Sequence, residues 1–288
     1  MDFRQLGISR RSVAMATALV GTVSLAIGAH AALNMRALDA AKAVATEQSA
    51  DAAKKPSRLA LVIGNGHYPD ANTPMTQPIN DARALTASLR RDGFDVDVVE
   101  DATKDDMSRA IARLKSRIRP DSVVMLFFGG YGVQAGRESY MIPVDATIWK
   151  EADVRRDGVS IESVLEAMKE QGACAKLVVL DASRRNPYER RFRTFSHGLA
   201  PISAPDNALI LTSATPGQVA DDSRGQHSVL VTELLNHLNA READKATAAE
   251  TVFNKTRIAV SRASDGAQIP SVSSSLLEDV RFGANAGS

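Results

Sequence analysis

The sequence predicts an α/β fold, a mainly parallel central sheet with helices on both faces, on three observations. Five short apolar runs recur along the chain: RLALVIG (58–64), FDVDVVE (94–100), SVVMLFF (122–128), KLVVLDA (176–182) and ALILTSA (208–214). Most are continuous in Val, Ile and Leu, as strands covered on both faces require. Segments of helical period separate them, at about 80–92, 105–118, 160–171, 227–240 and 248–262, and strand–helix alternation implies parallel strands joined by right-handed crossovers.

In chain order, the N-terminus comes first. MDFRQLGISRR precedes SVAMATALVGTVSLAIGAHAAL, and no Asp, Glu, Lys or Arg occurs between Arg11 and Arg36. Basic residues, then an apolar stretch, then the small-x-small AHA at Ala29–Ala31 fit a cleaved export signal, and SRR at Ser9–Arg11 is a weak match to a twin-arginine signal. The length of the run equally suits an uncleaved anchor over residues 12–33 with its basic flank inside. Both readings of residues 1–33 predict export, to the periplasm or to the inner membrane facing it. Residues 34–57, rich in Ala and Lys with no aromatic, read as a tether.

The remaining domain, 58–283, begins with the first strand. GNGHYPD (64–70) follows it, but Pro69 stands where a dinucleotide fingerprint needs glycine, and no helix pattern starts there. The next segment carries Asn80 and Asp81 as helix-capping types, and Gly93 and Gly172 read as helix ends. FFGGYG after the third strand lacks the Lys-Ser/Thr ending of a phosphate loop. In parallel sheets ligands bind at the carboxyl ends of strands, where Tyr131 and Ser183 fall.

Composition excludes several functions. A net charge of +1 speaks against a nucleic-acid surface. A single cysteine, Cys174, excludes an internal disulfide framework and a Cys-based zinc cluster, and no H-E-x-x-H occurs. Cys174 precedes its strand, which predicts a structural thiol at the opposite end of the sheet from Ser183.

The matching stretches LALVIGNGHY, PINDARAL, FFGGYG, SYMIPVDA, LDASRRNP, GLAPISAP, TPGQVADD, GQHSVLVTELLNHL and QIPSVSSSLLEDVRF give the chain from Leu59 to Phe282 a resemblance to the bacterial caspase-like cysteine peptidases, the metacaspase and orthocaspase group. The resemblance implies a caspase-like three-layer sandwich. It also implies a catalytic His where this chain has Tyr131 and a nucleophilic Cys where it has Ser183, so both halves of the dyad are replaced. Gly132 falls at an oxyanion-type backbone position. Asp81 and Asp181 fall on the acids that hold a substrate Arg or Lys side chain, and Gly129 stands where the family has a pocket Ser. Many metacaspases require calcium, so calcium enters by resemblance alone; no other cofactor is implied.

Chemistry then weighs the replacements. A serine hydroxyl needs a positioned base during attack, and a tyrosine with a reference pKa of about 10 donates hydrogen bonds more readily than it accepts protons. His67, after the first strand, is a candidate substitute base lacking a nameable orienting group; His197, His227 and His237 read as surface or packed residues. Paired carboxylates suit guanidinium through charge-assisted hydrogen bonds, although Asp81 equally reads as a cap of its own helix. RRNPYERRFRTFSH (184–197) reads as a solvated basic loop, or as a segment that folds back as an occluding pseudo-substrate. The sequence thus predicts a pseudopeptidase that binds a protein or peptide through exposed Arg or Lys, with a Ser183 hydrolase as the alternative.

Overall fold

The computed structural model describes residues 57–69, 74–184, 198–220, 225–240 and 246–283, all in the unit Pro56–Ser288. The export segment, the tether and the basic loop beyond Arg184 lie outside the described residues, as does His197. Among the described residues, no helix is long and apolar enough to cross a membrane.

Six strands form the central sheet: β1 (Arg58–Gly64), β2 (Asp95–Glu100), β3 (Val123–Gly129), β7 (Ala175–Asp181), β8 (Ala208–Thr212) and β10 (Ser271–Ser274), in the order β10-β8-β7-β3-β1-β2. All pairings are parallel except that of β10 on β8. The continuous apolar runs are explained by alternation. In β3, Val123, Met125 and Phe127 enter one core while Val124, Leu126 and Phe128 enter the other.

The first core is closed by α1 (Gln77–Arg91) through Ala82, Leu85 and Leu89, with α5 (Val229–Asn239) and α6 (Ala249–Ala263) beside it. The second is closed by α2 (Lys104–Arg117) through Met107, Ala110 and Leu114, and by α4 (Ile161–Glu170) through Ile161, Leu165 and Met168. Residues three and four apart on a helix share a face, so each helix buries one stripe and the result is a three-layer sandwich. Side-chain caps start α2, α4 and α5: Thr103 in a capping box with Asp106, Ser160 accepting from Ser163, and Ser228 accepting from Val231.

Two expectations are corrected. Helix α1 opens at Gln77, three residues earlier than its polar pair suggested, because Pro78 suits the first turn; Asp81 is therefore interior to the helix and does not cap it. A second small sheet, β4 (Gly132–Ala135), β5 (Glu138–Met141) and β6 (Val159–Ser160), and the short helix α3 (Glu151–Asp157) follow β3 where no element was expected. With Tyr68, Met75 and Tyr131 they form a third apolar cluster. A further pair, β9 (Thr247–Ala248) and β11 (Arg281–Phe282), flanks α6.

Candidate functional site

Strands β3 and β7 are neighbours, with Gly129 opposite Asp181. Two residues further on, Tyr131 and Ser183 leave the same end of the sheet, and the segments stay joined: Gly130 N–H donates to the Asp181 carbonyl (3.3 Å) and Gly132 N–H to the Ala182 carbonyl (2.9 Å). A Cβ on Gly132 would stand 2.6 Å from Leu199 Cδ2 and 2.8 Å from the Ala182 oxygen, so this close approach demands glycine.

The two hydroxyl residues do not act on one another. Ser183 is 1% exposed and its Oγ makes no hydrogen bond among the described residues. Tyr131 is half-buried and turns its ring to Tyr68, centroid to centroid 4.7 Å, while its amide donates to the Tyr68 hydroxyl (3.1 Å), which in turn donates to the Ile142 carbonyl (2.9 Å). Packing against the third apolar cluster thus fixes Tyr131.

The Gly132 amide, which the resemblance places at an oxyanion-type position, points into the fold. Its hydrogen is engaged by Ala182, and the amide of Ser183 donates to Ser213 Oγ (3.2 Å). An oxyanion site needs donors aimed at the reacting atom, and both backbone donors here are directed into the fold.

His67 has an orienting group that the sequence did not reveal. Its Nδ1 lies 2.6 Å from Asp101 Oδ2, and Asp101 Oδ1 also accepts from the Gly66 and His67 amides, both at 2.9 Å. Those backbone bonds help hold the Asp101 carboxyl below the usual carboxylate range against the opposing effect of burial. Asp101 follows β2, however, on the side of β1 away from β3 and β7. Strands β1 and β7 are two spacings, about 10 Å, apart, and the exposed imidazole is drawn further from Ser183.

The acidic residues are deeply placed. Asp81, on α1, is fully buried; Asp181, at the end of β7, is 2% exposed. Asp81 Oδ1 meets His227 Nδ1 at 2.7 Å, and its carboxylate accepts the Ser228 amide at 3.2–3.3 Å. Asp81 therefore caps α5, a helix on the far side of the chain's sequence, where a negative group at the N-terminus is favourable. Burial first, and the charge of Asp181 second, push the Asp81 carboxyl up to about 7 despite its bonds to His227 and Ser228. Asp181 Oδ2 faces Arg184 Nη2 at 3.5 Å. Gly129 lies in register beside it, and a Cβ there would come within 3.3 Å of the Phe127 ring.

The solvated-loop expectation is overturned at Arg184, which is 4% exposed. His227, read as a surface or packed residue, is a direct partner of Asp81; His237 lies in the last turn of α5, away from it. Cys174 precedes β7, at the opposite sheet end from Ser183, and is half-buried, with burial pushing its thiol up. Among the described residues no three His, Cys, Asp or Glu side chains converge to hold a metal ion.

Comparison with known proteins agrees with this architecture. Mucosa-associated lymphoid tissue lymphoma translocation protein 1 of Homo sapiens is 27% identical over 144 residues, 50% of this chain and 17% of that protein. Its homologue in Mus musculus is 27% identical over 133 residues, 46% of this chain and 16% of that protein. The chain thus spans about a sixth of the length of these relatives. The family model of the caspase domain matches residues 57–281, which runs from the first strand of the central sheet to β11, and on that match the chain belongs to the caspase domain family.

Proposed function

We propose that this chain is an exported caspase-fold pseudopeptidase that acts by binding, as a scaffold or regulator holding a protein or peptide with exposed Arg or Lys side chains at Asp81 and Asp181. The observation that carries this reading is the isolation of Ser183: its Oγ has no base within hydrogen-bond reach among the described residues. General-base assistance is worth about 10²–10⁴ in rate, and deleting the nucleophile or base of a serine protease costs about 10⁶. Activity without them falls far below that of a working peptidase.

The acidic pair supports recognition of cations. Two buried carboxylates in mutual repulsion favour a ligand that brings positive charge and several donors, which guanidinium does. The rival reading, a hydrolase using Ser183, draws on the oriented His67–Asp101 couple, but that couple belongs to the β2 side of the sheet. A fluorophosphonate probe separates the two. The pseudopeptidase leaves Ser183 unlabelled and Arg- or Lys-coumarin peptides uncut, while a cell-envelope pull-down retains a partner that Asp81→Asn, Asp181→Asn loses. Labelling at Ser183 together with peptide cleavage that disappears in Ser183→Ala overturns this reading in favour of the hydrolase.

A further inference from the structure

We propose that the outer face of the helix layer α1–α5–α6 docks on anionic phospholipid headgroups, with Ile258 reaching the boundary between headgroups and acyl chains. The surface is the solvent side of the helices that close the first core, and none of its residues belongs to the crevice described above.

The net charge is only +1, so the distribution of charge decides what each face attracts. In the opposite layer every arginine of α2 meets an aspartate: Arg109 with Asp106, Arg113 with Asp97 and Arg117 with Asp95. Those charges are neutralised within the fold. The layer α1–α5–α6 differs. Apart from Arg83, which Glu100 holds, its cations Arg90, Arg91, Lys255, Arg257 and Arg262 are exposed, and none of these five pairs with a carboxylate among the described residues. Arg90 donates to the Val96 carbonyl, and Arg91 to the Ala87 carbonyl and the Asn239 side-chain oxygen. The carboxylates of these helices do not offset them: Asp81 is buried, Glu233 accepts from Asn236 and Glu250 accepts from Ser274.

Helix α6 shows how the face is built. Ala249, Val252, Phe253, Thr256 and Val260 are buried, which by helical spacing sends Lys255, Ile258 and Arg262 together to the opposite side. Ile258 is 43% exposed there. A single exposed apolar side chain needs no explanation by itself, but one standing between two unpaired cations matches a lipid surface on both counts. Lys and Arg are drawn to anionic headgroups, and the apolar side chain gains from the acyl boundary beneath them. A nucleic-acid backbone would engage the cations and leave Ile258 without a partner. An acidic protein would want a broader apolar centre than one isoleucine supplies.

The test uses the full chain and lipid vesicles. Trp149→Phe removes the sole native tryptophan and Ile258→Trp places one on the face, so quenching by acyl chains brominated near the headgroup reports the docking of α6 however else the chain is held. Phosphatidylglycerol vesicles should quench this tryptophan and phosphatidylcholine vesicles should not, and salt at about 1 M, which screens charges beyond about 3 Å, should reverse the quenching. Adding Lys255→Glu, Arg262→Glu should weaken docking at least about 10-fold with the melting temperature unchanged. If that pair does not fold, Lys255→Gln, Arg262→Gln should weaken docking in the same direction. No quenching by phosphatidylglycerol vesicles, equal quenching by both kinds, or quenching that neither pair of substitutions reduces overturns the proposal. A shift of the tryptophan emission by polyglutamate, without quenching by phosphatidylglycerol, overturns it in favour of an acidic polypeptide.

Discussion

Gly132 donates its amide hydrogen to the carbonyl of Ala182 at 2.9 Å, fastening the turn after β3 to the residue just ahead of Ser183. That bond bears on what reconstruction of a catalytic dyad can achieve. From the resemblance alone, Tyr131→His with Ser183→Cys should restore partial cleavage after Arg or Lys, and neither single change should, because nucleophile and base act as a unit. With Gly132 directed at Ala182 and the Ser183 amide at Ser213, the gain is expected to be slight. Adding Ser213→Ala releases one donor, and one oxyanion donor is worth about 10²–10³. The triple variant should therefore turn over Arg-coumarin peptides at least ~10-fold faster than the double one; equal rates would show that the Ser213 contact does not limit the chemistry.

Asp81 should give the protein a pH-dependent liability. Its folded pKa is raised, from 3.8 to about 7, so the native state holds a proton that the unfolded chain has released. The associated stability is fully present below about pH 4 and declines as pH rises through about 7. Asp81→Asn keeps acceptor capacity toward Ser228 and lacks this titration. The stability of wild type relative to Asp81→Asn should thus fall by ~1–3 kcal/mol between pH 4 and pH 8, measured by urea unfolding at each pH. Parallel profiles would refute the assignment.

Lys176 is 2% exposed on β7 and, among the described residues, donates to a single carbonyl, that of Ala173, at 3.3 Å. Burial lowers its pKa, so its ammonium weakens the fold at neutral pH. Lys176→Met, similar in volume, should be neutral or stabilising by ~1–2 kcal/mol near pH 7. The advantage should vanish above pH 10.5, the ordinary value at which the unfolded lysine also loses its proton. Thermal melts across that range would check both statements, and marked destabilisation at pH 7 would contradict them.

Gly132→Ala should cost ~1–3 kcal/mol, because the added methyl meets the Ala182 oxygen and Leu199 and forces the two segments apart. Gly93→Ala, at φ 81 but with open space around it, should cost about 1 kcal/mol through backbone strain alone. Comparing the urea midpoints of the two variants distinguishes close approach from conformational strain.

The five main strands were legible because each feeds two cores, and a strand such as Val123–Gly129 must then be apolar at every position. The hairpin β4–β5 was not: its strands are four residues each, too short for alternation to register. Helix α3 was hidden similarly, since Val154 is its only buried apolar residue. The strand ends carrying Tyr131 and Ser183 followed from the carboxyl-end rule. The partners of those ends did not, because Asp81 and His227 are separated by 146 residues and Ser183 and Ser213 by 30. Only the sheet order brings them together. Arg184 misled for a related reason: its neighbours in sequence are basic and polar, whereas its neighbour in space is a buried acid.

On the proposed binding role, the contact between Asp81 and the first turn of α5 gives that carboxylate two duties whose selection differs. Loss of a ligand would release Asp181 to drift among descendants together with Arg184, the pair changing in step. Asp81 would remain, held by the helix it starts, so an aspartate at this position in a related sequence reports an intact scaffold, while the pairing of Asp181 with Arg184 reports the history of the proposed binding role.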